Sequence, residues 1–132
     1  MSDLADFQTA ALACLLWQAM VPDPDDSEGN PLPADDLYDM GDFDPESRDA
    51  FLAECSDFFA HHRRTIRWGG ITPEQAGHDF VLTRNHHGAG FWDRSYNPAQ
   101  TLYHAGRVLT DACRAYGPSE VIASDDGALY IY

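Results

Sequence analysis

The stretch DPESRDAFLAECSDFFAHHRRTIRWGG, residues 44–70, decides the fold class. Asp44 suits an N-cap, and Pro45 sits at the first helical position, where its missing N–H costs nothing. Glu46 and Asp49 complement the positive start of a helix; His61, His62, Arg63 and Arg64 complement its negative end. Phe51, Leu52, Cys55, Phe58 and Phe59 recur at three-and-four spacing. This predicts a helix over 45–66, stopped by Gly69-Gly70, with one strongly aromatic buried face.

Working back from there, residues 22–45 carry Pro22, Pro24, Pro31, Pro33 and Pro45 and predict an acidic, Pro-containing loop. A connection of that length is usually functional or disordered. Leu37, Tyr38, Met40 and Phe43 offer apolar pins for its second half. Before it, Leu4, Phe7, Ala11, Cys14, Leu15 and Gln18 predict a helix over 3–21, stopped by Pro22. Leu12, Leu16 and Trp17 widen its apolar face, which makes it central.

Working forward, Thr72-Pro73-Glu74-Gln75 reads as a capping box opening a third helix to about Arg84, with Ala76, Phe80 and either Val81 or Thr83 inward. Residues 85–96 are a Gly-containing connection. Asn97 before Pro98 opens a fourth helix over 98–116, with Leu102, Ala105, Leu109, Ala112, Cys113 and Tyr116 as its stripe. Glu120–Ala123 and Leu129–Tyr132 flank Asp126-Gly127, a strong hairpin signal. The expectation is one domain over 1–132 of α+β class: mostly helical, three or four helices and a small C-terminal β-hairpin.

Charge then narrows the function. The 132 residues carry 22 acids and 8 bases, a net of −14, and every base is Arg. Residues 23–57 hold ten Asp and three Glu against one Arg, a net of −12. Such a surface repels nucleic-acid phosphates and anionic membranes and attracts basic proteins. Cys14, Cys55 and Cys113 fall on apolar helical stripes with no CxxC pair, as expected of reduced, buried thiols in a cytoplasmic protein. No secretory signal is visible, and the apolar run from Ala10 to Val21 is too short to span a bilayer.

Three kinds of catalytic chemistry find little footing. Six His lack HExxH or finger spacing, so no metal or cofactor is expected. Cys113, His104 and Asp111 can be named as a nucleophilic set, but nothing brings them together in order of contact. Gly88-Ala89-Gly90 lacks the P-loop Lys. The acidic block is the stronger candidate: Asp35, Asp36, Asp39, Asp42, Asp44, Glu46 and Asp49 could present a row of carboxylates at phosphate-like spacing. Tyr38, Met40 and Phe43 would be apolar anchors among them. Charge reversal at Asp36 and Asp39 should weaken partner binding and spare the fold.

The block Asp79–Arg94, DFVLTRNHHGAGFWDR, resembles a DFxLTRNxHGAGFWDR motif of small proteins from bacteriophages and mobile elements. The resemblance covers about residues 72–132, including a helix like Thr101–Tyr116 and a hairpin like Val121–Tyr132. It departs at Val81, where those proteins often carry Trp. It implies a phage or mobile-element origin and no known reaction. Read physically, the motif is a structural corner. Gly88 and Gly90 allow a tight path and Phe91 and Trp92 plug the core. Asp79, Arg84, Asp93 and Arg94 are placed to pair around it.

Together these expectations describe a non-enzymatic inhibitor in the host cytoplasm, of anti-CRISPR or antirestriction type. It would occlude the basic surface of a nucleic-acid-binding host complex by nucleic-acid mimicry. It would touch neither nucleic acid nor membrane directly, and no oligomeric state is implied. The alternatives are a small enzyme centred on the 79–94 loop through Arg84, His87 or Asp93, and a phage accessory protein acting through oligomer contacts.

Overall fold

The computed structural model describes residues 2–86, 90–91 and 105–132. Among these the chain forms four helices and two small two-stranded antiparallel sheets, a mostly helical α+β fold. The helices are α1 (Asp3–Gln18), α2 (Pro45–Trp68), α3 (Pro73–Arg84) and α4 (Ala105–Arg114). The strands are β1 (Met20–Pro22) and β2 (Pro31–Pro33), then β3 (Val121–Ala123) and β4 (Leu129–Ile131). No helix among the described residues is long and apolar enough to cross a membrane.

The helix starts follow the capping chemistry. Ser2 Oγ accepts the Ala5 N–H at 3.1 Å, Asp44 Oδ2 that of Ser47 at 2.9 Å, and Thr72 Oγ1 that of Gln75 at 3.1 Å. The box expected at Thr72 closes on one side only, because Gln75 Nε2 reaches forward to Asp79 Oδ1 at 2.8 Å. Helix α1 ends at Gln18, earlier than expected. Ala19 is extended, and Met20–Pro22 pairs with Pro31–Pro33 in the register Met20↔Pro33, Val21↔Leu32. Pro22 and Pro31 both suit such a short strand pair, since Pro is tolerated where no ladder N–H is needed.

The core is aromatic. Phe7, Phe58, Phe59, Phe80 and Phe91 are buried, with Phe58 and Phe80 centroids 4.6 Å apart and Phe7 within 5.9 Å of Phe58, Phe59 and Phe80. Helix α3 is buried nearly all round, from Ala76 through Arg84 with only His78 half-exposed, rather than along the one stripe expected. It lies against α1 as closely as two backbones allow. A Cβ on Gly77 would collide with the Phe7 carbonyl oxygen, so glycine is required there by the helix crossing. Leu12 and Leu16 of α1 are buried as expected, but Trp17 is 56% exposed.

The C-terminal hairpin is present, with the pairs Val121↔Ile131 and Ala123↔Leu129 and Gly127 at φ 86 in the turn. Asp126 Oδ1 accepts the Ala128 N–H and its Oδ2 accepts the Tyr130 O–H, both at 3.0 Å. These bonds to the ionised form hold its carboxyl below the usual range. The hairpin is tied to the start of α2: the Asp44 N–H donates to Leu129 O at 2.7 Å and the Ile131 N–H to Ser47 Oγ at 3.2 Å. Of the expected fourth helix, Ala105–Arg114 lies within the described residues; Asn97, Pro98 and Leu102 lie outside them.

Candidate partner interface

The acidic segment is folded onto the body. After β2 come two single 3₁₀ turns, Ala34–Asp36 and Met40–Asp42, in place of the long loop expected. Ala34 is buried and its N–H donates to Ala19 O at 2.9 Å, which fixes the first turn against the end of α1. Phe43 is buried under Leu129, so it is a core residue and not the anchor expected from sequence. Tyr38 and Met40 are half-buried against the same core.

The carboxylates divide into two groups. Asp39 and Asp42 form a reciprocal capping box: Asp39 Oδ1 accepts from the Gly41 N–H and Asp42 Oδ2 from the Asp39 N–H, both at 2.8 Å. Asp44 caps α2. These three carboxylates shape the backbone, so reversing Asp39 damages the turn that presents its neighbours. That corrects the expectation that Asp36 and Asp39 could be reversed together without structural cost. Asp35, Asp36 and Glu46 are exposed, and their side chains have no hydrogen bond or ion pair among the described residues. Asp49 pairs with Arg48 at 3.3 Å, on the surface. An exposed pair of that kind is worth at most about 1 kcal/mol.

Apolar anchors exist, at positions the sequence reading did not choose. Trp17, Met20 and Leu37 are 56%, 54% and 44% exposed. Trp17 ends α1, Met20 pairs with Pro33, and Leu37 follows Asp35 and Asp36 in the turn hydrogen-bonded to Ala19. All three lie within three residues along the chain of the hydrogen-bonded pair Ala19–Ala34, which also ties down the turn carrying Asp35 and Asp36. Trp17 fitted the apolar stripe of α1 by spacing alone; only the packing of the neighbouring elements leaves it uncovered.

In the described part of the 79–94 motif, Asp79, Arg84 and Gly90 are buried. Arg84 is buried and makes hydrogen bonds, an ion pair and aromatic contacts together. Its Nε donates to Gly117 O at 2.8 Å, and its Nη2 to Tyr116 O and Glu54 Oε1, each at 3.3 Å. Its guanidinium lies over Phe80, Tyr116 and Phe51 at 5.1, 5.5 and 5.9 Å. Its ion-pair partner is thus Glu54 of α2. Fully buried Asp79 takes the Gln75 amide and lies 3.9 Å from His78 Nδ1. Gly90 is buried against Thr83 so tightly that a Cβ would overlap Thr83 Oγ1, which also accepts the Phe91 N–H at 3.0 Å. Gly88, Trp92, Asp93 and Arg94 lie outside the described residues, as does His87.

Burial pushes the Cys14 and Cys55 thiols up to about 12 and raises Cys113 as well, so the reactive thiolate form is suppressed at neutral pH. Asp111 pairs with Arg114 at 3.6 Å, and His104 lies outside the described residues. A recess of about 160 Å³, lined by Thr83, His86, Thr110 and Arg114, opens beside the motif, with His86 at φ 52. That volume is below the usual range for small-molecule sites. Among the described residues no group of three or more His, Cys, Asp or Glu is placed to hold a metal ion. Comparison with family models, curated protein sequences and solved structures finds no match to this chain.

Proposed function

We propose that this protein acts by binding, docking its acidic corner onto a basic protein surface that otherwise holds nucleic acid. One observation carries the reading: the segment that concentrates the negative charge is pinned to the body by Ala34 and Phe43, and Asp35 and Asp36 stay exposed in the turn that the Ala34–Ala19 hydrogen bond ties to the chain between exposed Trp17 and exposed Met20. Carboxylates steer encounter and set specificity, and exposed aromatic and aliphatic side chains supply the apolar anchor that charge alone lacks. Together with the resemblance of residues 72–132 to phage and mobile-element proteins, this favours a host defence complex as target, with inhibition by occlusion as the mechanism.

The test is capture from nuclease-treated bacterial lysate on the immobilised chain, with an Asp35→Arg/Asp36→Arg variant in parallel. A basic nucleic-acid-binding complex retained at low salt, released at high salt and absent from the variant is the expected result. Equal capture by both chains overturns the reading. The enzyme alternative has in its favour only the recess beside His86, and a substrate-sized ligand bound there would move the argument to that site.

A further inference from the structure

We infer that the groove between α1 and α3 receives an arginine side chain of the basic partner, so that the acidic corner steers and this groove anchors. The inference rests on the reading of a basic partner given above. The groove holds about 540 Å³ and is lined by Ala10, Ala13, Cys14 and Trp17 from α1 and by Thr72, Glu74, Gln75 and His78 from the start of α3. That volume falls within the range of small-ligand sites.

Its chemistry selects a cation with an apolar stem. Ala10, Ala13 and Cys14 are four-and-three spaced on one flank of α1 and offer an apolar floor for methylene groups. Trp17 lines the groove with its ring 5.7 Å from that of His78, and it is 56% exposed. Tryptophan is the best aromatic partner for a cation. Thr72 Oγ1 and the Gln75 amide are already engaged, in the α3 cap and with Asp79. Glu74, exposed at the rim, has no ion pair among the described residues. Among the described residues no Arg lines the groove, and the chain as a whole carries −14. A planar, weakly hydrated guanidinium fits this set better than an ammonium, because it can stack on the indole while pairing with Glu74.

The Trp17 end of the groove is linked to the acidic turn through the backbone. Trp17 lies two residues before Ala19, whose carbonyl accepts the N–H of Ala34, and Asp35 and Asp36 follow directly. A basic segment drawn to those carboxylates would therefore have the Trp17 end of the groove within reach.

The probe is N-acetyl-arginine amide titrated into the isotope-labelled full chain, with the uncharged citrulline analogue as control. The expected result is movement of the Trp17 indole resonance and of the Glu74 and His78 amides with arginine, and roughly tenfold weaker binding of citrulline. Trp17→Leu and Glu74→Gln should each abolish the arginine response, with the rest of the amide spectrum reporting an intact fold. Equal responses to arginine and citrulline overturn the proposal. So do shifts confined to Asp35–Asp49, which would leave the basic-partner reading standing. Concentration-dependent shifts at the groove without any probe would assign it to a second copy of this chain and likewise overturn it. A groove response combined with no capture of a basic complex supports the groove and sinks the functional reading.

Discussion

At the scale of single residues, Arg84 and His62 show how burial turns sequence charge into structure. Arg84 gives up water for two backbone carbonyls, Glu54 and three aromatic faces. Among the described residues its Nη1 is buried with no hydrogen-bond partner, so the aromatic cage compensates for part of its lost hydration. Arg84→Ala removes the cage's contents and the fork between Tyr116, Gly117 and Glu54. The expected loss is about 3 kcal/mol, the low end for a broken buried pair because half-buried Glu54 can turn to water. Urea denaturation checks this, and a midpoint within error of the parent would contradict the reading. His62 packs on Phe58 at 4.8 Å. Burial, and secondarily His61, lowers its pKa below the ordinary 6.5, against an opposing contribution from Asp57. The folded state therefore binds this proton less readily than the unfolded chain. The contribution to stability is full above about 6.5 and is lost as pH falls from there toward the lowered value. His62→Gln should flatten the fall in urea midpoint across that window; an unchanged slope would show that His62 is not its source.

At the scale of elements, the caps separate structure from recognition. Asp44 is both the N-cap of α2 and one of the clustered charges. Asn caps nearly as well as Asp, whereas Ala loses the bond at a cost of about 1 kcal/mol. Asp44→Asn should therefore keep the thermal midpoint near that of the parent and remove one charge; Asp44→Ala should lower it. Equal destabilisation by both would mean that the charge, through the helix dipole or its neighbours, outweighs the hydrogen bond. The start of α2 was legible because Asp44-Pro45 and the aromatic stripe act within a few residues of chain. The acidic connection was read as a loop because three-residue strands and single 3₁₀ turns have no periodicity to detect. They exist through Ala19–Ala34 and Phe43–Leu129, contacts between residues far apart in sequence.

At the scale of the whole molecule, charge is strongly segregated: residues 23–57 carry −12 of the total −14. Screening at physiological salt acts over about 8 Å, so the approach of a basic partner feels this region rather than the net charge. Association should slow markedly on raising salt, with dissociation changed less, as stopped-flow mixing with the captured partner would measure. Dissociation that carries most of the salt effect would point instead to buried ion pairs at the contact. Substitutions at Trp17, Met20 or Leu37 should act in the opposite way, raising the dissociation rate with little effect on association.

The sequence by itself determined the starts of α1, α2 and α3, the aromatic stripe of α2, the DG hairpin and where along the chain the charge lies. Each of these is written in neighbouring residues, through capping, side-chain period or turn geometry. Tertiary structure alone decided that Phe43 is core and Trp17 surface, that Arg84 answers Glu54, and that Gly77 lets α1 and α3 touch. Exposure and pairing depend on which distant element covers a side chain, and an apolar stripe on a helix is silent about where its cover stops.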